Sequence, residues 1–96
     1  MPGYVIVHVD VVDPDGYRAY QQQVPATVER YSGRFVVRGG APETVEGEPP
    51  KRLVVLEFPS VDQARAWYYS PEYQAIVPLR QQFSRTAFFS IVSGAA

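Results

Sequence analysis

The chain's 96 residues, 46% of them hydrophobic and 20% charged, have the length and composition of one folded domain, which we predict over residues 1–96. Because neutralising phosphates requires a basic surface, a net charge of −1 without any run of Lys or Arg argues against nucleic-acid binding. The absence of cysteine excludes disulfides, iron–sulfur clusters, thiolate metal sites and a cysteine nucleophile.

The first predicted element is a strand from Tyr4 to Val12, because this run is rich in β-branched residues and lacks helix formers. Valines at every second position make one face apolar and suited to helix packing. The opposite face is mixed and carries Tyr4, Ile6, His8, Asp10 and Val12. The first ten residues read as a strand rather than as a signal peptide, and no apolar stretch approaches the roughly 20 residues that span a bilayer. We therefore expect a cytoplasmic protein without a membrane partner.

A helix is predicted next, with Asp13 as its N-cap and Pro14 at its first position. Tyrosines and valines recur at spacings of three and four, which indicates an amphipathic helix. Pro25 should kink this helix, and Gly33 should end it as the C′ residue.

Two further strands are predicted at Arg34–Arg38, which Gly39-Gly40 ends, and at Lys51–Phe58. Residues 41–50 between them contain three prolines and three glutamates. This composition predicts an exposed and mobile loop.

The second helical region begins at a capping box formed by Ser60 and Gln63 and is interrupted at Ser70-Pro71. The last predicted strand is Arg85–Val92. The order β-α-β-β-α-β predicts a ferredoxin-like α+β fold, with a four-stranded antiparallel sheet and the helices on one face. The other sheet face carries too much apolar area to stay wet, so we expect a homodimer through the sheet faces.

Several segments in the same order resemble the family of domains of unknown function numbered 1330. They are YSGRFVVRGG (31–40), VEGE (45–48), RLVVLEFPS (52–60) and AWYYSPEYQAI (66–76), followed by Arg80. The resemblance covers nearly the whole chain and implies the dimeric α+β barrel superfamily, in which two ferredoxin-like sheets close into one barrel. Relatives there include cofactor-independent monooxygenases, haem-degrading enzymes, isomerases and ligand-sensing domains, so the fold does not determine the activity. The oxygenases and haem-degrading relatives commonly place an Asn near a Trp and a His, whereas this sequence has no asparagine.

Strand alternation predicts that four polar side chains share the barrel face. The candidate pocket consists of these four, His8, Asp10, Arg38 and Glu57, and of Trp67, Tyr69, Tyr73 and Arg80 near its mouth. In a functional interpretation, His8 acts as acid or base and Arg38 holds an anionic substrate group. In a structural interpretation, Arg38 pairs with Glu57 across neighbouring strands, and His8 is hydrogen-bonded beside them.

The aromatic cluster around Ser70-Pro71 also has two interpretations. Trp67 and Tyr73 either pack in the core or, with Tyr69, orient a small aromatic or keto ligand at the cavity mouth.

The sequence argues against several kinds of site. His8 is the only histidine, and without cysteine it makes a poor basis for a metal site, so we predict no metal and no cofactor. No serine lies in a nucleophile elbow, and Gly39-Gly40 lacks the pattern of a phosphate-binding loop. Two hypotheses remain. One is a small-molecule enzyme or binder that uses a cavity in the barrel, and the other is a non-catalytic dimeric module that binds a metabolite or a protein partner.

Overall fold

A computed structural model describes residues 1–40 and 42–95, so Ala41 in the predicted loop and Ala96 after the last predicted strand lie outside the described residues. The elements follow in the order β1 (Gly3–Val11), α1 (Pro14–Arg30), β2 (Arg34–Arg38), β3 (Arg52–Phe58), α2 (Val61–Tyr68), α3 (Pro71–Gln74), α4 (Val77–Phe83) and β4 (Ser84–Ser93). The strands form one antiparallel sheet in the order β2-β3-β1-β4. This confirms the predicted ferredoxin-like α+β arrangement, with the second helical region divided into three short helices.

Local signals place the ends of α1. The carboxylate of Asp13 accepts a hydrogen bond from the Gly16 amide at 3.2 Å, as an N-cap residue does. At the other end, Ser32 takes the left-handed conformation with φ 62°, and the Gly33 amide donates to the carbonyl of Val28 at 2.9 Å. The predicted C′ position of Gly33 is therefore wrong by one residue, because Ser32 makes the turn.

The buried core lies between one face of the sheet and the helices. The valines at alternate positions of β1 face the helices, as predicted. The core residues are Val5, Val7, Val9, Tyr17, Tyr20, Val24, Val28, Leu56, Phe58, Ala64, Trp67, Tyr73, Ile76 and Val77. None of the described helices has the length and apolar character needed to cross a membrane.

Two irregularities change the register of the sheet. In β2, Phe35 pairs with Leu56 and Val37 with Val55, so Val36 is an extra residue. In β4, Ala87 is extra in the same sense, because the partners of His8 and Val9 are Phe88 and Thr86. An extra residue reverses which side chains face the helices beyond it.

Candidate functional site

A narrow opening, which we call the inner cleft, lies between α1 and the helix-facing side of the sheet. Its lining consists of Val7, Tyr17, Tyr20, Gln21, Val24, Phe35, Arg38, Arg52, Val54, Leu56, Trp67 and Phe89. The space open to the centre of a water molecule is about 40 Å³, enough for a few waters. A larger ligand therefore needs side chains at the edge of the cleft to move, and Gln21, Arg38 and Arg52 are long enough to do so.

Aromatic side chains form the rigid part of the wall. The Trp67 ring lies 4.2 Å from that of Tyr73 and 5.4 Å from that of Phe58, and it stacks on Phe89 at 6.1 Å between centroids. Its indole N–H donates to the hydroxyl of Thr27 in α1 at 3.0 Å. Because packing and a hydrogen bond both fix the indole, this wall keeps its shape.

Two arginines bring positive charge to the inner cleft. Arg38 holds its guanidinium 4.4 Å from the centre of the Phe35 ring. Arg52 is half-buried, and its Nε makes no hydrogen bond to any described atom. No Asp or Glu is among the lining residues, and the ion pairs found among the described residues involve neither arginine. The cleft is therefore apolar and aromatic inside and cationic at one end.

A third arginine lies behind the wall. Arg80 is only 4% exposed, and it donates to the hydroxyl of Thr86 at 2.5 Å while its guanidinium lies 4.8 Å from the centre of the Phe89 ring. Its Nε also lacks a partner among the described residues. Arg80 thus adds a buried positive charge beside the cleft.

Three phenols of the region remain protonated near neutral pH. The hydroxyls of Tyr20 and Tyr73 share a hydrogen bond of 2.6 Å. Burial raises the pKa of Tyr20 well above 10, and it also raises the pKa of Tyr73, where the Tyr20 hydroxyl and Arg80 act in the opposite direction. Burial raises the pKa of Tyr17 as well, partly offset by Arg52. These hydroxyls can donate hydrogen bonds, but they are poor proton acceptors.

The inner cleft adjoins a wider hollow, which we call the outer depression. It is lined by Asp10, Val11, Pro14, Gln21, Gly40, Lys51 and Arg52 and has a water-accessible volume of about 420 Å³. Gln21 and Arg52 line both spaces. These two side chains therefore border both the inner cleft and the outer depression.

We call the sheet face opposite the helices the open face, and the structure places His8 and Glu57 on it. The same face also carries Tyr4, Ile6, Leu53, Val55, Val37, Phe88, Ser90 and Val92. This is the face that strand alternation predicts for His8 and Glu57. The His8 Nε2 accepts a hydrogen bond from the Lys51 amide at 3.0 Å, and its ring meets the Phe88 ring edge-on at 5.6 Å. Asp10 is exposed and lines the outer depression.

The predicted position of Arg38 is wrong. Because Val36 is an extra residue in β2, Arg38 pairs with Val54 and lies on the helix-facing side. The pair between Arg38 and Glu57, which the structural interpretation predicts, does not form for the same reason. Glu57 binds Arg34 instead, with the Nε of Arg34 at 2.9 Å.

The aromatic candidates separate. Trp67 and Tyr73 are fully buried, as the packing interpretation predicts, yet Trp67 also lines the inner cleft. Tyr69 is 72% exposed and is not among the residues that line the cleft. Its ring lies 5.0 Å from the ring of Tyr68. Arg80 is buried behind Phe89 and is not at a cavity mouth.

Of the twelve residues that line the cleft, the candidate pocket includes only Arg38 and Trp67, and the missing residues with polar side chains are Tyr17, Tyr20, Gln21 and Arg52. The two tyrosines look like ordinary core residues in the apolar stripe of α1. Arg52 carries a usable signal, because it precedes Val54 and Leu56 on the helix-facing positions of β3. Among the described residues, no group of three or more His, Asp or Glu side chains is placed to hold a metal ion.

A family model decides the relationship of this chain, because it matches residues 2–95. The chain belongs to the family of domains of unknown function numbered 1330. No curated protein matches it. The fold is similar to RPA0582, a protein of unknown function from Rhodopseudomonas palustris, at 22% identity and a TM-score of 0.72, over 99% of this chain and 83% of that one.

Two other solved structures share the fold of this chain. One is SnoaB, a cofactor-independent oxygenase from Streptomyces nogalater, at 13% identity and a TM-score of 0.65, over 99% of this chain and 94% of that one. The other is a dimeric protein of unknown function with a ferredoxin-like fold from Bacteroides fragilis, at 12% identity and a TM-score of 0.56, over 97% of this chain and 95% of that one. At these identities the likeness establishes the fold alone.

Proposed function

We propose that this protein binds a small organic molecule in the inner cleft and that it does so as a homodimer joined through the open face. The observation that carries the proposal is the cleft itself, an opening in the core with fixed aromatic walls. Small-molecule sites are typically concave and mostly apolar, with a few polar groups that orient the ligand. The lining of the cleft matches that description, and an organic ligand enters only if the side chains at its edge move, since the open space is about 40 Å³. The cleft lies on the other side of the sheet from the barrel cavity expected from the sequence.

Binding is favoured over catalysis by the chemistry of the lining. Proton transfer near neutral pH requires a group that ionises there, such as an imidazole or a carboxyl group with a raised pKa. The described residues of the cleft contribute neither, and burial raises the pKa of Tyr17 and Tyr20 further from neutrality. The only histidine, His8, lies on the opposite sheet face.

The homodimer is supported by the open face and by one relative. Phe88 and Val92 are 45% and 40% exposed on this face, and Val37 is 38% exposed. The Bacteroides fragilis protein of the same fold is described as dimeric. Pairing two such faces would remove these apolar side chains from water, which favours association.

A neutral aromatic probe tests the binding proposal. Trp67 is the only tryptophan, so its indole N–H gives a single resonance in a ¹H–¹⁵N spectrum. We expect phenylacetamide to shift this resonance saturably in the millimolar range. Val54→Phe, which fills the cleft, should abolish the shift, whereas Val45→Phe in the exposed loop should leave it unchanged. A Trp67 resonance that does not move, or one that moves equally in folded Val54→Phe, would contradict the proposal.

A catalytic use of the same cleft is the second candidate, since SnoaB has this fold and is described as a cofactor-independent oxygenase. The two candidates differ in the fate of a bound molecule. Incubation in air followed by mass spectrometry should return a bound probe unchanged if the protein only binds. An oxygenated product formed in proportion to protein concentration would support catalysis.

A further inference from the structure

We infer that the molecule bound in the inner cleft carries an oxyanion, either a carboxylate or a phosphate, and that Arg52 and Arg38 hold this group. The rest of the molecule is flat and apolar and enters between the aromatic walls. This inference rests on the proposed binding function and specifies the class of its ligand.

The first step is the position of the two cations. Arg52 pairs with Val9 on β1, and Arg38 pairs with Val54 on β3, so both side chains are on the helix-facing side of the sheet. The Arg52 guanidinium lies against the backbone of Gly39, the residue that follows Arg38, so closely that a Cβ at Gly39 would collide with it. Two positive side chains therefore line the cleft, and the Arg52 guanidinium lies beside the residue that follows Arg38.

The second step is the missing counter-charge. Arg18, Arg30, Arg34 and Arg65 each pair with a carboxylate at the surface. Arg38 and Arg52 have no such partner among the described residues, and the Nε of Arg52 is buried without a hydrogen bond. Arg52 is half-buried, and a cation in such a position is costly without a partner, so a bound anion would remove that cost. Arg38 is exposed and contributes a positive charge without that cost.

The third step is the balance of donors and acceptors. The Tyr17 phenol lines the cleft together with Arg52, and it stays protonated because burial raises its pKa, partly offset by the positive charge of Arg52. The cationic end thus offers guanidinium groups and a phenol, all of them donors, together with the amide of Gln21. A guanidinium group binds two oxygens of a carboxylate or of a phosphate through two parallel hydrogen bonds, which makes these the fitting groups. The nearby carboxylate of Asp10 lines the outer depression beside Lys51 and is not among the residues of the cleft.

The fourth step is the rest of the ligand. Phe35, Trp67 and Phe89 present ring surfaces to the interior of the cleft. Arg80 adds a buried positive charge behind Phe89 that no described carboxylate neutralises. A planar apolar group would contact these rings while its anionic end stays near Arg52.

Phenylacetate and phenylacetamide test the inference, because they have nearly the same shape and differ in charge. With the Trp67 indole resonance as readout, we expect phenylacetate to bind at least tenfold more tightly. Arg52→Gln, which keeps a polar side chain and removes the charge, should weaken phenylacetate at least tenfold and phenylacetamide less than twofold. Arg38→Gln is a second variant with the same expectation, and Arg65→Gln on the exposed side of α2 is the control.

The outcomes separate this inference from the binding proposal. Equal affinities for the two probes, or equal weakening of both by Arg52→Gln, would overturn the oxyanion while binding in the cleft stands. If neither probe moves the Trp67 resonance, both proposals fail. Phenyl phosphate identifies the group: tighter binding than phenylacetate assigns a phosphate, weaker binding assigns a carboxylate, and either result supports the oxyanion.

Discussion

At the scale of single residues, Thr27 helps to fix the shape of the inner cleft although it does not line it. Its buried hydroxyl accepts from the Trp67 indole at 3.0 Å and donates to the carbonyl of Val24 at 2.8 Å. One side chain of α1 therefore fixes the ring of α2 that forms the cleft wall. A buried N–H without an acceptor is costly, so this contact should appear in the stability of the protein.

Thr27→Val tests that contact with little change of volume. The variant leaves the Trp67 N–H without its acceptor in a buried site, so we expect the free energy of unfolding to fall by about 1–3 kcal/mol. Thr27→Ser keeps the acceptor and loses a methyl group, so its cost should be below about 1 kcal/mol. Urea unfolding followed by Trp67 fluorescence measures both. Equal losses in the two variants would show that the hydrogen bond contributes nothing.

At the scale of elements, the sequence predicts the helices and strands well because each has a clear period or a clear boundary signal. Asp13-Pro14 and Ser60 begin helices, and the alternating valines of β1 identify its buried face. The register of β2 was not predictable, since Phe35, Val36 and Val37 are apolar in succession and alternation does not show which one is extra.

The site was missed for a related reason. Strand alternation predicts the open face for the charged residues of the strands, where burial by a partner sheet would explain them. His8 and Glu57 do lie there. Arg52 lies at a helix-facing position, and Arg38 joins it only because of the extra residue in β2. The cleft depends on three-dimensional packing of α1 against these strands, which the period of a single element does not contain.

The contact between α1 and α3 predicts how stability depends on pH. The pKa of Tyr20 in the folded protein lies well above 10, the ordinary value that it has in the unfolded chain. Below pH 10 both states keep the proton, so this group adds no pH dependence. As pH rises from 10 towards the folded pKa, only the unfolded chain loses the proton, so the free energy of unfolding falls.

Urea titrations at pH 9, 10 and 11 should therefore show a progressive loss of stability. Tyr20→Phe should make that loss shallower, whereas Tyr69→Phe, at a position that is 72% exposed, should not change it. The chain has one lysine and seven tyrosines, so phenols dominate titration in this range. A Tyr20→Phe protein with the same loss between pH 9 and 11 would contradict the assignment.

At the scale of the whole molecule, the protomer is a slab with one uncovered broad side. Its Cα atoms span 34 × 31 × 17 Å, as expected for a single helix layer on a single sheet. Its accessible surface of 5927 Å² exceeds the roughly 5,500 Å² typical of a monomer of this mass. Most sheets either have both faces buried or have one polar face in contact with water. The open face of this sheet fits neither case, because its apolar residues Ile6, Leu53 and Val55 are only partly buried.

The proposed homodimer gives the last prediction. Light scattering at micromolar concentration should give a mass of twice 10.8 kDa, and a stable interface of this kind should bury about 1,200 Å² or more in total. Phe88→Asp should raise the dimer dissociation constant at least tenfold, because it places a charge where an apolar ring meets the partner. Phe88 is 45% exposed in the protomer, so the protomer itself should stay folded. Tyr69→Asp, on the helix side, is the control and should leave the dimer intact. A monomeric wild-type protein would overturn the proposed assembly, and so would a dimer that Phe88→Asp leaves unchanged.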